Sequence, residues 1–142
     1  MQEYIEFARA NPLLFLGFFG VLGLIIWTEL GRINRKYQLA PINTAVKLMN
    51  DDKTVLVDVR EDREVQDGMI KGAKHIPLSA LSTRMGELDK YKSAPIIVYC
   101  RSGNRSGSAC NSLTKAGFEN VNNLVGGIIA WETANLPLTN KR

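Results

Sequence analysis

Apolar positions along the chain follow three rhythms. From Leu13 to Trp27 the run LLFLGFFGVLGLIIW carries no charge, and Asn11, Pro12 and Thr28 extend it toward the length that spans a bilayer, which predicts a membrane helix. Beyond Gly31 to Lys36 the pattern changes to alternating helical and strand periods. Asn43 is placed to cap a helix bearing Ala45, Val46, Leu48 and Met49, and Asn50-Asp51-Asp52 ends it. Val55-Leu56-Val57-Asp58-Val59 is a near-continuous β-branched run, as in a strand buried on both faces. Arg60 to Gln66 reads as a short helix, Ala73 to Ile76 as a brief strand stopped by Pro77, and Ser79 to Leu88 as helix in one or two pieces. Pro95 to Tyr99 is the second apolar strand, Asn104 to Lys115 a helix with Ala109, Cys110 and Leu113 on one side, Val121 to Val125 a last strand, and Ile128 to Ala134 a last helix. Strands separated by helices predict an α/β domain with a parallel sheet covered on both faces, because parallel neighbours need crossover connections.

The 142 residues therefore divide into an N-terminal anchor (1–30), a basic tether (31–37) and one soluble body (38–142) large enough for a single core. A cleaved signal peptide would need a basic leader and small residues before a cleavage site. Here MQEYIEFARAN holds two Glu against one Arg, and Trp-Thr-Glu-Leu follows the apolar run, so an anchor is favoured. Arg9 stands alone before the run while Arg32, Arg35 and Lys36 crowd its far side, which predicts that the body faces the cytoplasm. Gly17, Gly20 and Gly23 recur every three residues and offer a face for a second helix, so a homodimer through the anchor is an expectation. The formal net charge of +4 is modest and its basic residues are scattered, which argues against nucleic-acid binding. Two cysteines and one histidine supply neither a disulfide framework nor a zinc-ligand set; no metal or other cofactor is expected.

The chemistry-bearing stretch is Cys100-Arg101-Ser102-Gly103-Asn104-Arg105, between a buried strand and a helix. In open α/β sheets, ligands collect beyond the carboxyl ends of the strands, where loops feed helix N-termini. A short Gly-containing turn there can aim successive N–H groups inward as a nest for negative charge, and the helix N-terminus adds to it. Arg101 and Arg105 bring two full charges if they turn toward the centre. All of this favours thiolate at Cys100. A lone cysteine at a strand end is otherwise a packing residue, and that is the competing reading.

Four stretches in order, V-D-V-R-E, G-M-I-K-G-A-K-H-I-P, C-R-S-G-N-R-S and L-V-G-G-I-I-A-W, make the chain from about Leu39 to Pro137 resemble a single-domain rhodanese, a sulfurtransferase. The resemblance implies a five-stranded parallel sheet between helices, a catalytic cysteine at Cys100, and a persulfide-cradling, substrate-binding loop at Arg101, Ser102, Gly103, Asn104 and Arg105. It also implies that an N-terminal anchor is an arrangement found among bacterial relatives. The loop counted from the cysteine has six residues, whereas related phosphatases and arsenate reductases carry one more, with room for a tetrahedral oxyanion. Two departures stand out. Met69 replaces the family histidine, and Val65 the usual aromatic. Asp58 and Arg60 keep an Asp-x-Arg pattern beside the pocket, with Asp58 expected to fix loop backbone groups and Arg60 to pair with Glu64.

The expected reaction is a double displacement in which the thiolate takes a sulfane sulfur from a small anionic donor, thiosulfate or a persulfide, and passes it to a thiophilic acceptor, a thiol or a protein. An ionised cysteine needs no histidine base, and His75 reads as structural, Trp131 as core, and Cys110 as a packing residue. Gly126-Gly127 reads as a close approach of the last helix to the loop. Two other functions fit the same residues: a persulfide carrier or docking module at the membrane, and a rhodanese-fold phosphatase or arsenate reductase.

Overall fold

The computed structural model describes residues 2–33 and 35–140, which fall into two compact units, one ending at Arg35 and one beginning at Lys36. In the first, helix α1 (Gln2–Ala10) is followed by α2 (Pro12–Ile33). Pro12–Leu30 has a mean hydropathy of 2.1, none of it is buried within the protein, and it is long and apolar enough to cross a membrane as an anchor or to serve as a signal. Leu13, Leu16 and Trp27 are largely exposed. The helix runs on to Ile33, into the stretch read as a tether.

The second unit is built on a five-stranded sheet in the order β1 (Gln38–Ala40), β6 (Asn120–Leu124), β5 (Pro95–Tyr99), β2 (Val55–Asp58), β4 (Lys74–His75), with every neighbouring pair parallel. Helices α3 (Ile42–Met49), α4 (Leu81–Arg84) and α5 (Asn104–Lys115) lie in the crossovers together with short 3-10 turns, and α6 (Gly127–Thr133) follows the last strand of the sheet. A minor antiparallel ladder joins β3 (Met69–Ile70) to β7 (Leu138–Thr139) and ties the end of the chain to the 60s loop. Successive strand residues point to opposite faces. Val55, Val57, Ile96, Val98 and Cys100 accordingly enter one core with Ala109, Cys110 and Leu113 of α5, while Leu56, Ile97 and Tyr99 enter the other with Ile128 and Trp131 of α6. The expectation of a sheet covered on both faces is met.

Two local expectations are not. Asn43 is not the cap: α3 is entered two residues earlier than expected, from Pro41, whose φ of −57° and carbonyl, accepting the Ala45 N–H at 2.9 Å, set the first turn. The charged stretch from Arg60 is mostly irregular, with one 3-10 turn at Glu64–Asp67, and its Glu64 carbonyl accepts from the buried Arg60 guanidinium rather than from a helical ladder. Trp131 is core as expected, and its indole N–H donates to the Pro137 carbonyl at 3.1 Å.

Candidate functional site

Cys100 directly follows β5 with its side chain on the α5 side of the sheet, and α5 begins four residues later, so the thiol lies under the first turn of that helix. The intervening loop is fixed from outside. The N–H groups of Ile128 and Ile129, in the first turn of α6, donate to the carbonyls of Cys100 at 2.9 Å and Arg101 at 3.2 Å. A side chain at Gly127, which has φ +57°, would bring its Cβ within 2.5 Å of both carbonyl oxygens. The glycine is what lets α6 come this close.

With those carbonyls turned toward α6, the opposite edge of the loop faces the sulfur. Gly103 N–H donates to Cys100 Sγ at 3.1 Å, and the Ser106 hydroxyl approaches it at 3.3 Å. Burial pushes the Cys100 thiol up, but the Ser106 hydroxyl and the N–H groups of Ser106, Gly103 and Ser102 together hold it below the ordinary cysteine range. The loop therefore stabilises an anionic sulfur by hydroxyl and main-chain dipoles.

The arginines do something other than expected. Arg105 is held in a bidentate pair with Glu64, at 2.7 Å for each N–H···O contact, which raises Arg105 and lowers the Glu64 carboxyl to about 2. Arg101 is exposed and lines a cleft of about 230 Å³ with Arg60, Glu64, Asp67, Ile129 and Glu132. Ser102 and Asn104 are exposed on the rim. Arg60 is nearly buried and does not pair with the Glu64 carboxylate. It takes Asp58 instead, through Nε at 3.0 Å and Nη2 at 2.7 Å, and donates to the main-chain carbonyls of Glu64 at 3.1 Å and Gly68 at 2.7 Å. Asp58 therefore anchors Arg60 and its own main-chain N–H, not the cysteine loop. Met69 is buried in β3, paired with Thr139, and lines a separate cavity with Ile70, Ala73 and His75 rather than the Arg101 cleft. His75 is nearly covered, and its Nε2 donates to the Arg60 carbonyl at 2.7 Å, a structural contact. Cys110 is fully buried and its thiol is pushed up to about 12 by burial. It packs in the same apolar cluster as Cys100.

The pattern of the rhodanese-like domain matches residues 42–134. The chain belongs to the rhodanese-like family. It is 32% identical over 139 residues to the uncharacterized protein YibN of Escherichia coli K12, covering 97% of each chain. It is 42% identical over 103 residues to the putative sulfurtransferase YtwF of Bacillus subtilis, covering 70% of this chain and 97% of that one. Among solved structures it superposes on a rhodanese-related protein of Thermoplasma volcanium with a TM-score of 0.66 at 27% identity, over 74% of this chain and all of that one. The five-stranded rhodanese fold is thereby shown, and the relatives support a sulfurtransferase-like activity.

Two residues of this rhodanese-like site escape a linear reading: Ser106, one position past the loop, and Asn123 in β6. Asn123 donates through Nδ2 to the Gly103 carbonyl at 3.0 Å and faces the Ser106 hydroxyl with Oδ1 at 2.6 Å. Paired Asn122 and Asn123, both buried in the middle of a strand, are unusual for a β position, and that oddity is the signal that was available.

Proposed function

We propose that the protein moves sulfane sulfur through a persulfide on Cys100. The observation that carries this reading is the convergence of the Gly103 N–H and the Ser106 hydroxyl on Cys100 Sγ, with the loop carbonyls drawn the other way. In the first half-reaction the thiolate attacks the outer sulfur of a donor such as thiosulfate. The Sγ–S bond forms, the donor's S–S bond breaks, and its electron pair leaves with sulfite. The same dipoles then hold the persulfide anion. In the second half-reaction a thiophilic acceptor takes the outer sulfur and the electron pair of the Sγ–S bond returns to Cys100. Arg101, exposed in the cleft, is the charge left to meet an anionic donor, because Arg105 is engaged by Glu64. The apolar helix α2 is read as a membrane anchor with the rhodanese domain on the cytoplasmic side, following the basic residues Arg32, Arg35 and Lys36.

Incubation of the full chain with thiosulfate and cyanide tests this. Thiocyanate that disappears in Cys100→Ser, with a mass gain of about 32 Da on Cys100 after thiosulfate alone, supports the transferase. A stable persulfide that does not turn over points to a carrier or docking module, and phosphate release from an aryl phosphate to the phosphatase reading.

A further inference from the structure

Among the described residues, the buried polar and charged side chains of the rhodanese domain are Asp58, Arg60, Ser106, Asn122 and Asn123. Asp58 and Arg60 brace the 60s loop, and Asn122 donates to the Ile96 carbonyl and to Asn120. Asn123 holds the Gly103 carbonyl of the cysteine loop and is joined through Oδ1 to Ser106, whose hydroxyl faces the sulfur.

The Ser106 hydroxyl has one proton and two acceptors within reach, Cys100 Sγ at 3.3 Å and Asn123 Oδ1 at 2.6 Å. The orientation of the carboxamide is forced. The Gly103 carbonyl can only accept, so the group facing it at 3.0 Å is Nδ2, and Oδ1 is left toward Ser106. Oδ1 in turn can only accept. The hydroxyl must therefore choose between the amide oxygen and the sulfur, and the charge on the sulfur sets the choice. An anionic Sγ makes a charge-assisted hydrogen bond roughly twice as strong as a neutral one. Once Sγ carries a second sulfur, the negative charge sits on the outer atom, about 2 Å farther along the bond. Sγ is then a neutral, poor acceptor.

We propose that Asn123 is a positioning residue for sulfur transfer, holding the Ser106 proton between its own Oδ1 and Cys100 Sγ so that the proton turns to the sulfur when it is anionic and to Asn123 when it carries the transferred atom. The inference rests on the reading of Cys100 as the persulfide carrier. Its consequence falls on the second half-reaction. When an acceptor takes the outer sulfur, Sγ is the leaving group, and the hydroxyl swings back to it as the electron pair arrives. No proton is transferred; the hydrogen bond changes partner.

The test uses the full chain in detergent, in a Cys110→Ala background so that one thiol is read. Ser106→Ala is expected to slow discharge of the loaded persulfide to cyanide about tenfold, the worth of one hydrogen bond to a charged group, with kcat/KM for thiosulfate, which reads only the loading half-reaction, changed less. Ser106→Thr restores the rate. Asn123→Asp is expected to slow iodoacetamide alkylation of the resting thiol, measured below its titration midpoint, about tenfold where Ser106 is present and about threefold where it is Ala, because the carboxylate captures the hydroxyl proton only when there is one to capture. Equal effects in the two backgrounds overturn the proposal, as does a Ser106→Ala protein that discharges normally. Should Asn123→Asp fail to fold, the side-chain amide NMR signal of Asn123 in the unaltered sequence decides. It is expected to move when Cys100 is loaded with sulfur and to stay put when the Ser106→Ala protein is loaded; a signal that moves alike in both overturns the proposal. Alkylation of the resting thiol requires no sulfur transfer, so coupling there without turnover would retain the positioning role and remove the persulfide reading.

Discussion

Replacing Gly127 by alanine is the sharpest test of how the cysteine loop is held. A Cβ at this position would lie 2.5 Å from the carbonyl oxygens of Cys100 and Arg101, and the backbone already has φ +57°. The left-handed conformation costs an alanine roughly 1–2 kcal/mol. The clash is with backbone atoms, so the start of α6 must retreat. That stretches the hydrogen bonds from Ile128 at 2.9 Å and Ile129 at 3.2 Å, each worth about 1 kcal/mol net. The sum is about 3–4 kcal/mol, a large part of the roughly 5–15 kcal/mol by which a domain is stable. Gly117 supplies the control, since it has φ +93° and nothing within 4 Å of the place a Cβ would occupy; Gly117→Ala should cost the conformational part alone, about 1–2 kcal/mol. Urea unfolding of the full chain in detergent, followed by Trp131 fluorescence in a Trp27→Phe background, measures both. The two substitutions costing the same would refute the close-approach argument. A Gly127→Ala protein of reduced stability is also expected to alkylate more slowly at Cys100, because the loop dipoles lose their outer support.

Other consequences follow from the same contacts. Cys100→Ser should abolish thiocyanate formation, whereas Cys110→Ala should leave turnover within about twofold and cost about 1 kcal/mol in urea unfolding, a small volume lost from a packed core. Asp58→Ala strands the buried Arg60 and should cost about 3–5 kcal/mol; Arg60 and Asp58 replaced together should cost less than the two singles summed. The Glu64 carboxyl, lowered to about 2 by Arg105 from 4.5, gives stability that is fully present above about pH 4.5 and lost as pH falls toward 2. Because the pair is partly solvated, the increment is on the order of 1 kcal/mol, and Glu64→Gln should flatten that limb of the acid unfolding curve.

Much of the fold was legible because its strongest elements are long and periodic. Pro95–Tyr99 and Asn104–Lys115 match their sequence-derived bounds, since an apolar β-branched run and an amphipathic helix are local signals. The strands β1, β3 and β7, two or three residues each, leave no period to detect and exist only through their partners. The cysteine and its loop were visible for the same local reason. The groups that shape the loop were not, because Glu64 reaches Arg105 across 41 positions and Asn123 reaches Gly103 across 20. Charge placement misled as well: Arg60 and Glu64 are spaced like an α-helical ion pair, but the segment is not α-helical, and Arg60 takes the neighbouring Asp58 while Glu64 takes the distant Arg105.

The grip of α6 on the Cys100 and Arg101 carbonyls separates the reacting segment from the segment that gives it polarity. A polypeptide stopped after β6 would retain the nucleophile and every residue of its loop, yet its peptide planes would be free to rotate and the electrostatic well would flatten. Chemistry encoded near residue 100 thus awaits synthesis of the last quarter of the chain.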